Sequence, residues 1–491
     1  MQKRYFDVVV MGCGAAGLSA AVAAAEQGLS VAVLERATAV ERGGQTRFTE
    51  AYLRMKSHHE VTDDFETLLA ANSGHYLDPD LVGEMAEERS SWSAQTKALP
   101  FADVGVIESF SAAVPATIEW LQNLGIRFDF LPTQFLTKSQ PRLLPVGGGL
   151  AMVDVLAARA EQLGVEFFYE TTGRELLLSD IDMVTGIRAV SRTQGTMEFQ
   201  GDVVLASGGF EGNAEMLARY IGPRSVYLRP VCKGGFYNRG EGISMALAIG
   251  AAPAGEFGSY HAEPVDPRSG VSEPSIFIFP YGVLVNRHGQ RFTDEAPGTV
   301  DAWYERVTRR IFEQPEGMAW VVLDQRVKDI PNYRLGIRTD QPAIEAPTLD
   351  LLAEKLDIPA HALVATVHAY NAGCRTAAFR PLELDGQSTV GIEPRKSNWA
   401  YPLDRPPYIA YPIVSANVFT FGGLKIDPNG RVLNGDGNPI GGLYAAGETV
   451  GMYFDNYTGA TSVLKALVFG RLGALFAAAG KRREAHGGTP A

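Results

Sequence analysis

Phe6 to Met11 is an apolar, β-branched run, and Gly12-Cys13-Gly14-Ala15-Ala16-Gly17 follows it without a break. Ala20, Ala21 and Ala24 then recur at helical spacing, Gly28 closes the stretch, and Val31-Ala32-Val33-Leu34 leads into Glu35. Three glycines between a buried strand and a small-residue helix leave few folds open. The pattern predicts a strand–helix–strand unit with a dinucleotide on its turn. Gly12 makes the tight turn, Gly14 lets a pyrophosphate approach bare backbone, and Gly17 lets the helix lie close on the strand. The helix start offers N–H groups and a positive dipole end to phosphate. Glu35, roughly 20 residues on, is the acid expected to accept ribose hydroxyls.

Composition bounds the rest. The 491 residues suffice for two or three domains, and 46% hydrophobic with 20% charged residues is the make-up of a folded globule. A formal charge of −12 argues against a general binder of nucleic acid or anionic membrane, which needs a basic face. Cys13, Cys232 and Cys374 lie far apart, give neither a disulfide framework nor a metal spacing, and fit a reducing compartment. Val8 to Ala25 lacks charge, but its three glycines break it into strand and helix. Val463 to Gly480 holds Lys465 and Arg471 and reads poorly as a membrane span. No membrane anchor and a cytoplasmic location are the expectation.

Two later regions decide between dinucleotides. Arg42-Gly43-Gly44-Gln45-Thr46-Arg47 is a second glycine-rich loop, suited to pass backbone along a pyrophosphate and a flavin ring. Asn438 to Glu448 gives a turn, a short strand, Gly447 and an acid, and Gly459-Ala460-Thr461-Ser462 then opens an apolar helix. Thr461 or Ser462 caps that helix, whose free N–H groups can face the charge a reduced flavin gathers at N1 and C2=O. A cofactor gripped from both ends of a chain is long, which favours FAD over NAD.

Five motifs stand in one order: Gly12-x-Gly14-x-x-Gly17 with Glu35, Ala206-Ser207-Gly208-Gly209-Phe210, Gly240 to Ala246, Leu284 to Glu295 with its Arg291-Phe292 pair, and Gly442 to Glu448. Over almost the whole chain they resemble the flavoprotein family of fumarate reductase/succinate dehydrogenase, 3-ketosteroid Δ1-dehydrogenase and tricarballylate dehydrogenase. Gly43 to Phe48 and Phe421 to Asp427 are most similar to the tricarballylate branch. The resemblance implies an α/β fold: a Rossmann-type FAD-binding domain built from both chain ends (1–250 and 405–491) with an inserted α+β capping domain (251–404). The cofactor residues it implies are Gly12, Gly14, Ala16, Gly17, Glu35, Arg36, Gly43, Gly44, Thr46, Ser207, Gly208, Gly209, Asn213, Gly447, Glu448, Thr461, Ser462 and Val463. No histidine stands in the Gly43–Phe48 loop, and His58 and His59 come too far on, so non-covalent FAD is expected; no metal site is.

Such enzymes exchange a hydride between flavin N5 and a substrate carbon while a side chain handles the neighbouring proton. The chain departs from the fumarate reductase set. Phe419-Thr420-Phe421 stands where a histidine is expected, Gly459-Ala460-Thr461-Ser462 lacks a clamp arginine, and Gly298 or Thr299 replaces the proton-delivering arginine. By resemblance to the ketosteroid branch, Tyr457, with Gly459 beside it, polarises the substrate carbonyl; the other reading is a tyrosine packing the flavin edge. Tyr281 is acid/base or cap packing, and His261 is an active-site or loop-ordering group. Arg47 holds a carboxylate, or pairs with Glu50 or a phosphate oxygen. Arg291 is a carboxylate contact for a polyacid, or a brace for Asp294 or Glu295. Phe419 and Phe421 make the pocket partly apolar.

The resulting expectation is an FAD-dependent desaturase acting beside a ketone or carboxylate, on a cyclic ketone, an oxo-acid or a tricarballylate-like acid. Alternatives are an enoate or alkene reductase and a non-catalytic electron-transfer or redox-sensing flavoprotein. The partners expected are a small carbonyl substrate and a separate electron acceptor (oxygen, quinone or flavoprotein).

Overall fold

The strand Gln2–Met11 pairs in parallel with Val31–Leu34 on one side and Gly195–Leu205 on the other. The computed structural model that shows this describes residues 2–72, 79–101, 104–130, 142–179, 183–375 and 378–485. Pro439–Ala445 extends the sheet beyond Gly195–Leu205, and Glu166–Phe168 beyond Val31–Leu34. Met11 stands opposite both Leu34 and Leu205, and Leu205 opposite Ala445. Gly12, Glu35, Ala206 and Ala446 therefore leave the sheet along one edge, at the carboxyl ends of parallel strands, where α/β sheets bind ligands. Val8, Val9 and Val10 are fully buried, as strands covered on both faces require. Thr171–Leu178 and Val184–Ser191 add an antiparallel arm on Gly195–Leu205.

Two helices cross over this edge. A Cβ on Gly17 would lie 2.0 Å from the Gly12 carbonyl oxygen, so only glycine lets Ala15–Glu26 start so close to the strand. The final helix, Ser462–Ala485, lies on the first: Ser19 Oγ donates to the Leu467 carbonyl at 2.7 Å, and Gly470 passes over Ala16. Its Ser462–Arg483 stretch is long and apolar enough to cross a membrane by length and composition, and 56% of that window is buried inside the fold.

The second sheet is built on one long strand, Tyr408–Thr420, which pairs with Met318–Leu323, Tyr260–Val265, Ile344–Ala346 and Arg229–Pro230. Its faces alternate as a strand's must. Leu284, Val321 and Leu323 pack against Val307 and Ile311 of the helix Val300–Phe312. Val283, Trp320 and Val322 pack on the opposite face against Leu352, Leu363 and Val367. The sequence-level division assigns 405–491 to the FAD-binding part, but pairing puts 408–420 in the second sheet, whose hydrogen bonds it completes.

Gly470→Ala tests the helix crossing. Its Cβ would meet the Ala16 carbonyl at 2.3 Å. Overpacking of this kind costs about 1–3 kcal/mol, more than the gain of up to ~1 kcal/mol in helix propensity. The expected result is a lower thermal midpoint, read by calorimetry.

Candidate active site

Where the four strands end, a cavity opens, running from Glu35 and Arg36 at one end to Phe419, Ser462 and Val463 at the other. At the first end Glu35 accepts from the Cys13 N–H at 2.9 Å and the Ala37 N–H at 2.8 Å. Burial raises its carboxyl above the ordinary range, partly offset by those bonds. Arg36 bonds the Tyr237 carbonyl at 2.8 Å and pairs with Glu241. Gly12, Gly14, Ala16, Gly44, Thr46, Ser207, Gly208, Gly447 and Glu448 line the middle. Thr46 Oγ1 lies 3.5 Å from where a Gly14 Cβ would stand, and Ser207 Oγ is buried there without a partner. Bare backbone, a waiting hydroxyl and the helix start at Ala15 suit a long dinucleotide.

Beneath the middle lies a polar cluster. Gln45 Nε2 donates to Glu211, and Asn238 Nδ2 bridges Glu211 at 3.0 Å and Glu448 at 3.3 Å. Glu448 also accepts from the Thr420 N–H at 2.7 Å. Burial and the neighbouring Glu448 push Glu211 well above the carboxylate range. Lys465 donates to the Val450 carbonyl at 2.7 Å and is pushed down by burial to about 7, against the pull of Glu448.

Above the far end the second sheet delivers Phe419, and rings gather around it. His261 lies 5.1 Å from Phe419 and 4.5 Å from Tyr457 between ring centroids, and Phe419 and Tyr457 are 4.9 Å apart. Phe421 and Tyr453 close the group behind Phe419. The imidazole Nε2 is 2.6 Å from the Tyr304 hydroxyl, and Nδ1 is buried without a partner. Burial, then the Arg309 charge, pushes His261 down to about 3, so it is neutral. Glu305 ties the helix Val300–Phe312 to this group by accepting from the Tyr457 N–H at 3.2 Å.

The Tyr457 hydroxyl differs from expectation in its partners. It accepts from the Thr461 and Ser462 N–H groups, both at 3.0 Å, and donates to Ser462 Oγ at 3.0 Å. It thus occupies the helix start assigned from sequence to the flavin, because orphan helix N–H groups take the nearest oxygen. Thr461 Oγ1 donates to the Thr458 carbonyl instead of facing the cavity.

Other sequence-picked residues stand apart from the rings. The Tyr281 hydroxyl donates to the Pro381 carbonyl at 2.6 Å, and its ring packs on Trp399, so it belongs to the cap. Arg291 forks onto Glu295, bonds the Pro394 carbonyl and lies over Tyr370, which makes it the brace rather than a substrate contact. Arg47 reaches the Arg42 carbonyl at 3.4 Å and does not line the cavity. Gly17, Gly43 and Gly209 support the wall from behind: a Cβ on Gly209 would strike Glu448 and Thr420. Asn213 caps the helix Ala214–Tyr220 and lies in a shallower pocket beside Arg36. His58 bonds Gln122 at 2.9 Å and lies outside the cavity lining.

The sequence reading missed Tyr304 and Arg142. Tyr304, Val307, Thr308 and Ile311 follow the helical apolar spacing, so the inward face was there to be read. Arg142 carries no local signal. Its guanidinium nitrogens lie 3.3 and 3.4 Å from where a Gly459 Cβ would be, and 3.8 Å from Asp301.

Comparison with known proteins agrees with this architecture. Residues 7–463 match a family model described as FAD binding domain. NADH:acrylate oxidoreductase of Vibrio harveyi is 26% identical over 95% of this chain and 50% of its own length, so the chain spans about half of that relative. A 3-oxosteroid 1-dehydrogenase of Mycobacterium tuberculosis is 27% identical over 98% of this chain and 100% of its own. The open conformation of a flavocytochrome c3 fumarate reductase superposes with a TM-score of 0.73 at 22% identity, over 97% of this chain and 78% of that one, a likeness of fold.

His261 links the ring cluster to pH. The unfolded chain takes up the imidazole proton near 6.5 and the folded chain near 3, so the unfolded state binds more protons in between. Stability therefore falls as pH drops through that window, by roughly 2 kcal/mol at pH 5. Denaturant melts at pH 7 and 5 are expected to show this loss in the wild type, and a smaller one in His261→Gln.

Proposed function

The chain belongs to the FAD binding domain family, and from that premise we propose an FAD-dependent oxidoreductase that moves hydrogen across a carbon–carbon bond beside a carboxylate or ketone. The observation that carries this reading is the packed ring cluster of His261, Phe419 and Tyr457, which meets the far end of the dinucleotide cavity through Phe419, with the Arg142 guanidinium beside Gly459. Bound FAD supplies or accepts the hydride. Glu35 is proposed to hold the ribose, the bare backbone at Gly14 the pyrophosphate, and Ser207, Glu448 and Lys465 the stretch toward the ring. The absence of histidine from the Gly43–Phe48 loop supports a dissociable cofactor.

The rings exclude water and suit an apolar or planar substrate body. Arg142 is proposed to receive the carbonyl or carboxylate oxygen and stabilise charge developing on it, and the Tyr457 hydroxyl to join it by turning its proton from Ser462 Oγ to that oxygen. Electrons pass to or from a separate partner.

Reduction of an activated alkene is the direction these rings favour. His261 and Tyr304 are held neutral by burial, and Glu305, lifted by burial to about 7, is committed to the Tyr457 N–H and Arg309. None of these three groups is a free base for taking a proton from carbon. Desaturation is the second reading, supported by the Asp455–Thr461 stretch that resembles the ketosteroid branch and by the 3-oxosteroid relative.

Anaerobic mixing tests both. Reduced holoenzyme is expected to be reoxidised by at least one of acrylate, fumarate, 4-vinylphenol or a cyclic enone, and Tyr457→Phe to slow that step by ~10²–10³-fold with FAD content unchanged. Bleaching of the oxidised enzyme by a saturated ketone or acid, without reoxidation by any alkene, reverses the direction. Inertness in both half-reactions removes the proposal.

A further inference from the structure

Resting on the reading of the cavity as an FAD site, we propose that Glu211 and Glu448 share one proton beneath it, and that this proton gates the cofactor. FAD is held while the pair carries a single negative charge and is released when it carries two. Glu448, Gln45 and Asn238 line the cavity, and Glu211 is buried behind them, in contact with Gln45 and Asn238.

The two carboxyls are unequally satisfied. Glu211 Oε1 accepts from Gln45 Nε2 and from Asn238 Nδ2 at 3.0 Å, while Glu211 Oε2 is buried without a donor. Glu448 Oε1 accepts from the Thr420 N–H at 2.7 Å and the Thr420 hydroxyl at 3.2 Å, and Oε2 accepts from the same Asn238 Nδ2 at 3.3 Å. Gly209 leaves room for this arrangement, since a Cβ there would lie 2.1 Å from Glu448 Oε1. A buried carboxylate oxygen left bare is costly. A proton on Glu211 removes the cost, because Glu448 lies within hydrogen-bonding reach to accept it. Glu211 is thus the acid and Glu448 the anion of a pair that titrates together. Burial raises both carboxyls, and the Glu448 charge raises Glu211 further.

The diphosphate of FAD is itself anionic, so the charge of this floor bears on its retention. With the proton in place, the single charge of the pair faces Lys465 of the last helix, whose ammonium is engaged on the Val450 carbonyl at 2.7 Å. Loss of the proton to water adds a second charge with no cation set against it. It also opposes two carboxylates across one Asn238 amide, on the side where Thr420 ties Glu448 to the strand that delivers Phe419. The other titratable group facing the pair is the Cys232 thiol, pushed up by burial to about 12 and therefore uncharged at neutral pH.

Holoenzyme diluted to equilibrium from pH 6 to 9, with free flavin read by its fluorescence, tests the gate. The dissociation constant of the wild type is expected to rise about tenfold per pH unit more steeply than that of Glu211→Gln, which keeps the shape and a donor toward Glu448 but cannot ionise. The same difference is expected in a Lys465→Met background, where that lysine no longer titrates. Parallel curves for wild type and Glu211→Gln overturn the gate, and so does a difference that vanishes with Lys465→Met. Independently of binding, a protonated-carboxyl stretch in the infrared, absent from Glu211→Gln, is expected at pH 7 and is expected to fade over the range in which flavin is released. Its absence at pH 7 refutes the shared proton. A chain that takes up no FAD at any pH removes the functional reading and the gate with it, whereas FAD held equally at every pH strikes the gate alone.

Discussion

The closeness of a helix to the strand before it governs everything else in this molecule. The Gly12 carbonyl lies where a Gly17 side chain would begin, and the Ala206 carbonyl lies 2.2 Å from where a Gly12 side chain would begin. These two contacts set the first helix against the sheet edge with its N–H groups turned outward. They also bring the neighbouring strand ends into one line. The long C-terminal helix repeats the device, with Gly470 against Ala16, and so adds a second positive end to the same cavity. Affinity for a dinucleotide follows from backbone geometry more than from charged side chains.

The charged groups that do reach the cavity are largely neutralised. Arg36 is paired with Glu241, burial pushes the Glu211 carboxyl up, and burial weakens the hold of Lys465 on its proton. The ring cluster continues the theme with a neutral imidazole and neutral phenols. Low charge and burial let a few dipoles count for more, since local screening is weak. Arg142, 3.8 Å from Asp301, stands out against that background.

How far the sequence could be read depended on how local each signal was. The fingerprint was legible because its steric logic is complete within about thirty residues, and the Gly442–Glu448 return was legible for the same reason. The brace between Arg291 and Glu295 was also readable, being one helical turn long in sequence even though it sits in a loop. Tyr281 was left between acid/base and cap packing because the groups that hold it in the cap, Trp399 and the Pro381 carbonyl, arrive from about a hundred residues away. Tyr304 escaped notice, since its hydroxyl partner is His261, 43 residues earlier in a strand of the second sheet. The partners of the Tyr457 hydroxyl were not legible, because a helix start satisfies itself from whatever oxygen is close.

The contact between the first and last helices also has a consequence for biosynthesis. Ser19 and Leu467 are 448 residues apart, yet they share a hydrogen bond at the seam of the nucleotide site. At ~5–20 residues per second, a ribosome takes on the order of half a minute to a minute and a half to add that much chain. Through that interval the alanine-rich face of Ala15–Glu26 has no final helix to cover it. The opening strands must wait as an unfinished platform, screened by chaperones or by their own transient packing, until the last helix emerges and closes the seam.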